Sequence, residues 1–187
     1  LPKTVDLVQE IMLKSRFDDG KRLYEILAEL KSRLQSNLIS AGHSVAASRA
    51  MSYFSRPAAI QEQINGMPFY RLVDHLEKNF DSCREDLQNK LEALMKYIFR
   101  PENLLLDYVG TQDHYEEFIS LAGQVKKSLH TEPVEHRPFL IEPVRKNEGF
   151  MSASQVQYVC RAGNFISKGL SYTGALRVLK VMMSYEY

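Results

Sequence analysis

Apolar residues recur at helical spacing through the first half of the chain. Val5, Val8, Ile11 and Met12 mark a short amphipathic helix within residues 3–14. "SRFDDGKR" interrupts it, with Asp18 or Asp19 placed to cap the next helix. Leu23, Ile26, Leu27, Leu30, Leu34 and Leu38 then line one face of a long helix, with charges opposite. Gly42 breaks the rhythm. After it comes a helix of small residues, Ala46, Ala47 and Ala50, which admit a close neighbour, followed by the bulk of Met51, Tyr53 and Phe54. Pro57 suits the first turn of the succeeding helix and Gly66 its stop. Phe69, Leu72, Val73, Leu76 and Phe80 form another stripe. "SCRE", Ser82 to Glu85, has the form of a capping box opening a helix through Leu87, Leu91, Leu94 and Ile98.

The pattern changes after Pro101. "NLLLDYVG" is short, apolar and closed by Gly110, which predicts a buried strand. Asp113 and Glu116 stand in capping-box positions for a helix running to about Leu129. Pro133, Pro138 and Pro143 punctuate an extended linker between Thr131 and Gly149. "SQVQYVCRAGNF" alternates Val156, Tyr158 and Cys160 against Gln155, Gln157 and Val159, a second strand pattern. "SKGLSYTG" turns into a terminal helix from about Ala175. That helix reaches Tyr187 without the Gly, Asn or Pro that commonly stops one. Both ends therefore read as cuts through a longer chain. The expected fold class is α+β: helices over residues 1–100, a strand–helix unit over 101–130, a linker over 131–150, and an incomplete α/β unit over 151–187.

Composition narrows the picture mainly by exclusion. A chain of 187 residues with 44% hydrophobic and 25% charged content is globular rather than disordered. The net charge of +1, without a basic run, gives no reason to expect nucleic acid or an anionic membrane as partner. No apolar run is long enough to span a bilayer. Cys83 and Cys160 make no disulfide framework, which favours a reducing compartment.

Candidate chemistry is thin. "HTEPVEH", residues 130–136, ends in Glu-His like the zinc motif His-x-x-Glu-His. Four residues rather than two separate His130 from Glu135, however, and Pro133 prevents the helix that would aim both histidines at one metal. His43 reads as a packed residue near a helix start, His75 as surface helix, and His114 as part of an acidic first turn favoured by the helix dipole. Cys160, beside Arg161, reads as a small strand hydrophobe, and neither thiol has a matched histidine nearby. "GLSYTG" lacks the lysine of a phosphate loop. The expected catalytic, cofactor-binding and metal-ligating residues are none.

Five stretches in order carry a resemblance: "SAGHSVAASRAMSYFS", "FYRLVDHLEKNFD", "RPENLLLDYVG", "ASQVQYVCRAGNF" and "YTGALRVLKVMMSYEY". Together they resemble the C-terminal half of presequence-protease-like enzymes, a branch of the pitrilysin/insulinase zinc metallopeptidases with the inverted His-x-x-Glu-His motif. The similarity runs from about Lys14 to Tyr187. It implies a parent of four related α/β domains in two halves that close around a peptide chamber, with zinc and its ligands in the N-terminal half. Helices from Asp19 to Tyr97 would belong to the third domain, and the last strand and helix would open the fourth. In such enzymes an arginine and a tyrosine on a strand after the terminal helix reach the active site. No family site residue has a counterpart in this chain.

The function so implied is a non-catalytic, chamber-forming segment of a peptide-degrading zinc metalloendopeptidase. The chain alone would bind no zinc and hydrolyse nothing. Its partners would be the rest of the parent and, in the whole enzyme, peptide substrate. The apolar 171–187 helix or the edge near 155–160 would let the isolated chain self-associate. The expected location is a bacterial cytoplasm, with an organellar matrix second. The alternative is a stand-alone helical interaction module.

Overall fold

A computed structural model describes residues 1–135, 138–151 and 155–185. Eight α-helices occur among them: α1 (Pro2–Lys14), α2 (Gly20–Ser40), α3 (Gly42–Ser52), α4 (Arg56–Asn65), α5 (Met67–Lys78), α6 (Phe80–Ile98), α7 (Tyr115–Ser128) and α8 (Gly174–Tyr185). Short 3-10 turns stand at Pro101–Asn103, Gln112–His114 and Ile166–Lys168.

Local chemistry explains the helix boundaries. Asp19 Oδ1 accepts the backbone N–H of Arg22 at 3.0 Å, so Asp19 rather than Asp18 caps α2. Pro57 lies in the first turn of α4, and Gly66 follows its end, with Gly66 N–H donating to the Glu62 carbonyl at 2.8 Å. Glu116 and Glu117 begin α7 while Lys126 and Lys127 close it, matching the helix dipole at both ends. Neither expected capping box forms. Helix α6 starts at Phe80, two residues ahead of Ser82, whose hydroxyl donates to the Asn79 carbonyl instead. A 3-10 turn occupies Asp113, and α7 begins at Tyr115 without a side-chain cap.

The α+β expectation is corrected: the described residues are helical and irregular, with no strand among them. "NLLLDYVG" is extended but unpaired and unburied, with Leu105 91% and Val109 94% exposed. It is anchored through Tyr108, whose ring packs 4.8 Å from Phe118 and whose hydroxyl donates to the Thr111 carbonyl at 2.7 Å. The 155–160 run is likewise not a strand. Tyr158 rests near the His43 ring at 5.8 Å, and the Cys160 thiol donates to the His43 carbonyl at 3.8 Å. A strand needs a regular ladder of N–H and C=O bonds to a neighbour, and neither run is part of a strand among the described residues. Alternation records what a segment could bury, not whether a partner exists.

The chain divides into two compact units of nearly equal length, Leu1–Leu30 with His75–Pro138 and Lys31–Asp74 with Phe139–Tyr187, so α2 and α5 each run from one into the other. In the first, Leu27, Val125 and Leu129 are buried, and Tyr24 meets Phe80 edge to face at 5.4 Å. Polar clamps surround them. Gln88 donates to the Phe17 carbonyl at 2.6 Å, Arg84 to that of Asp18 at 3.0 Å, and Arg100 to that of Glu132 at 2.7 Å. In the second, α3 packs on α4 around Ala59, and Val73 is 2% exposed. Lys31 pairs with Asp74 at 2.8 Å and Gln35 donates to Tyr70 at 3.0 Å. Gly42 is required where it stands, since a Cβ there would lie 2.7 Å from the Tyr158 ring.

Candidate functional site

Two features distinguish the molecule: an arginine-centred polar cluster and an uncovered apolar surface. The cluster begins with Arg49, which α3 projects toward α4. Its Nη1 donates to Glu62 Oε1 at 3.2 Å. Glu62 is 5% exposed, and the same oxygen accepts the Met67 backbone N–H at 3.1 Å. The carboxylate fits because Gly66 leaves vacant the space a Cβ would fill.

Glu148 binds the other edge of the guanidinium. Arg49 Nε donates to its Oε2 at 2.8 Å and Nη2 to its Oε1 at 3.1 Å, a two-pronged pair. The Tyr53 hydroxyl accepts from Arg49 Nε at 3.2 Å and donates to Glu148. Phe150 brings its ring beneath two cations, 5.9 Å from Arg49 and 5.8 Å from Arg71. These bonds hold the Glu148 carboxyl down at about 2, with Arg49 the larger cause and Tyr53 the next, against partial desolvation. Arg49 is correspondingly raised above its ordinary range, mainly by Glu148. Burial, then the bond to Glu148, lifts the Tyr53 phenol. Arg49, Tyr53 and Glu148 are each pushed away from neutrality, so the cluster fastens chain segments together.

The residues singled out by sequence are dispersed. His43, His75 and His114 are all exposed; His75 contacts Asn79 and His114 lies 3.8 Å from Glu117. His130 lines an open groove of about 300 Å³ with Leu13, Phe17, Glu92 and Met95, while His136 lies outside the described residues. Cys83 is half-buried and Cys160 exposed. Among the described residues no group of histidine, cysteine and carboxylate side chains could hold a metal. No helix among them is long and apolar enough to cross a membrane.

The apolar surface is extensive. The chain exposes 15010 Å². A closed body of this mass exposes about 9,200 Å², and two closed bodies of half the mass standing apart about 11,000 Å². Val178, Leu179, Val181, Met182 and Met183 on α8 are all exposed, as are Leu7, Val8 and Ile11 on α1. Such surface marks contact with other protein. The class so defined is a helical segment that leaves much apolar side-chain surface exposed.

Residues 1–76 match the model of the family associated with peptidase family M16, subfamily C. Protein HypA of Clostridium perfringens is 29% identical over 99% of this chain and 19% of its own length. Presequence protease 1, chloroplastic/mitochondrial, of Arabidopsis thaliana is 25% identical over 95% of the chain and 16% of its own length. Presequence protease, mitochondrial, of Drosophila melanogaster is 26% identical over the whole chain and 18% of its length. These matches support a likeness to a segment of pitrilysin-family peptidases of the presequence-protease kind. The chain spans less than a fifth of the length of these curated relatives.

Proposed function

We propose that this chain is a structural segment of a zinc-dependent metalloendopeptidase, packing its apolar faces against the rest of the parent and forming part of the wall around a peptide substrate. The observation that carries this reading is the surplus of exposed apolar surface, on a chain whose relatives named as presequence proteases are several times longer. In this reading zinc chemistry belongs to the N-terminal half of the parent, as the family resemblance implies. Peptide contacts from this segment would be apolar and main-chain in character, given its near-neutral charge. A bacterial cytoplasm, or failing that an organellar matrix, is the corresponding location.

Reconstitution tests the reading. Mixed with a polypeptide comprising the rest of the parent, the chain forms a stable complex that hydrolyses an unstructured peptide in a chelator-sensitive way. Neither part does so alone. Alone, the chain self-associates at high concentration through α8, seen as a rising mass in sedimentation. A strictly monomeric chain that ignores the rest of the parent would favour the stand-alone interaction module.

A further inference from the structure

The linker 139–151 is bound along its length to the α3–α4 pair. Arg56 at the start of α4 pairs with Glu142. Arg145 lies 5.1 Å over the Phe54 ring. Glu148 takes two bonds from Arg49, and Phe150 sits between Arg49 and Arg71. The linker therefore has a defined path from Glu142 to Phe150.

Arg49 serves two carboxylates of different standing. Glu62 is buried, belongs to α4, and is tied to the Met67 N–H. Glu148 is more exposed and arrives on the linker, with Lys146 a further 3.9 Å from it. A cation shared by two anions holds each less tightly than it would hold either alone, because the anions repel and divide its field. Removing the linker would leave Arg49 still bonded to Glu62, so release strands no buried charge.

We propose that residues 139–151 form a releasable strap over the α3–α4 pair, with Arg49 a two-position latch that holds the strap through Glu148 and, on release, stays seated on Glu62. The device stands on the geometry of this unit alone, independently of the peptidase reading.

The test is fluorine NMR of the full chain carrying 4-fluorophenylalanine at position 150 only, in place of Phe150. Salt screens the exposed Arg56–Glu142 pair and weakens the partly exposed Glu148 bond, so rising ionic strength moves the signal toward the released position. Glu148→Gln raises the released-to-bound ratio about tenfold, the value of one charge-assisted bond. Glu62→Gln keeps an oxygen for Met67 but removes the competing charge. It therefore lowers that ratio several-fold by leaving Arg49 to Glu148. Glu62→Asp, which withdraws the carboxylate by one methylene, shifts the ratio the same way to a smaller extent. Should the Glu62 variants release the strap as Glu148→Gln does, Arg49 is a fixed node and the latch is overturned. An unmoved signal in Glu148→Gln overturns the strap itself.

Discussion

Arg49 and Glu148 lie 99 residues apart in sequence and meet through two hydrogen bonds of 2.8 and 3.1 Å. This relationship ties a proline-punctuated linker to α3, and its electrostatics give the first prediction. The Glu148 carboxyl sits at about 2 when folded, below its ordinary 4.5, because the charged form is bonded. A depressed carboxyl contributes stability that is present above about pH 4.5 and is lost as pH falls toward 2. With solvent screening at this partly exposed site, Glu148→Gln should lower unfolding stability by about 1–2 kcal/mol at pH 7. The difference from wild type should vanish near pH 2. Urea titrations followed by circular dichroism at both pH values check it.

Asp19 caps α2 through its side chain, accepting the Arg22 N–H. Asp19→Ala should lower stability by about 1 kcal/mol, whereas Asp19→Asn, which keeps the accepting oxygen, should change it by a few tenths. Thermal melts of the two variants side by side measure the difference.

Val73 and Val109 carry the same side chain in opposite surroundings, 2% and 94% exposed. In the isolated chain Val73→Ala should cost about 2 kcal/mol, and Val109→Ala under about 0.5 kcal/mol. In the full parent, where the exposed face is covered, the cost of Val109→Ala should rise to more than about 1 kcal/mol. Denaturant midpoints in the two contexts provide the comparison.

The isolated chain should carry less than stoichiometric zinc after purification and should leave an unstructured peptide intact, with chelator making no difference. Elemental analysis and a fluorogenic peptide assay read both.

The helical half is legible in the sequence because its periodicity reports a local fact. Leu23, Leu27 and Leu30 fall on one face whatever surrounds them, and Pro57 and Gly66 bracket α4 by backbone preference alone. The strand patterns mislead because "NLLLDYVG" and "QVQYVC" have the form of segments that bury a face, while the described residues hold these runs by single contacts such as Tyr108 with Phe118 and Tyr158 with His43 rather than in a sheet. The expected caps at Ser82 and Asp113 fail for a different reason. Asn79 and a 3-10 turn start those helices earlier or in another geometry than the motif demands. Nothing local announces Arg49 with Glu148. The hints are a lone arginine on a helix of small residues and the vacant side of Gly66, and spacing cannot pair positions so distant. The family resemblance rests on ordered stretches rather than a site, and the relatives bear it out.

Hydrogen exchange of residues 174–185, compared between the isolated chain and the full parent, tests the central claim most directly. Cover by the rest of the protein predicts that α8 amides exchange at least about tenfold more slowly in the parent, together with loss of hydrophobic-dye binding by the Val178–Met183 face. Equal exchange in both would show that α8 has no neighbour to meet, and would contradict the reading of this chain as a segment completed by the rest of a peptidase.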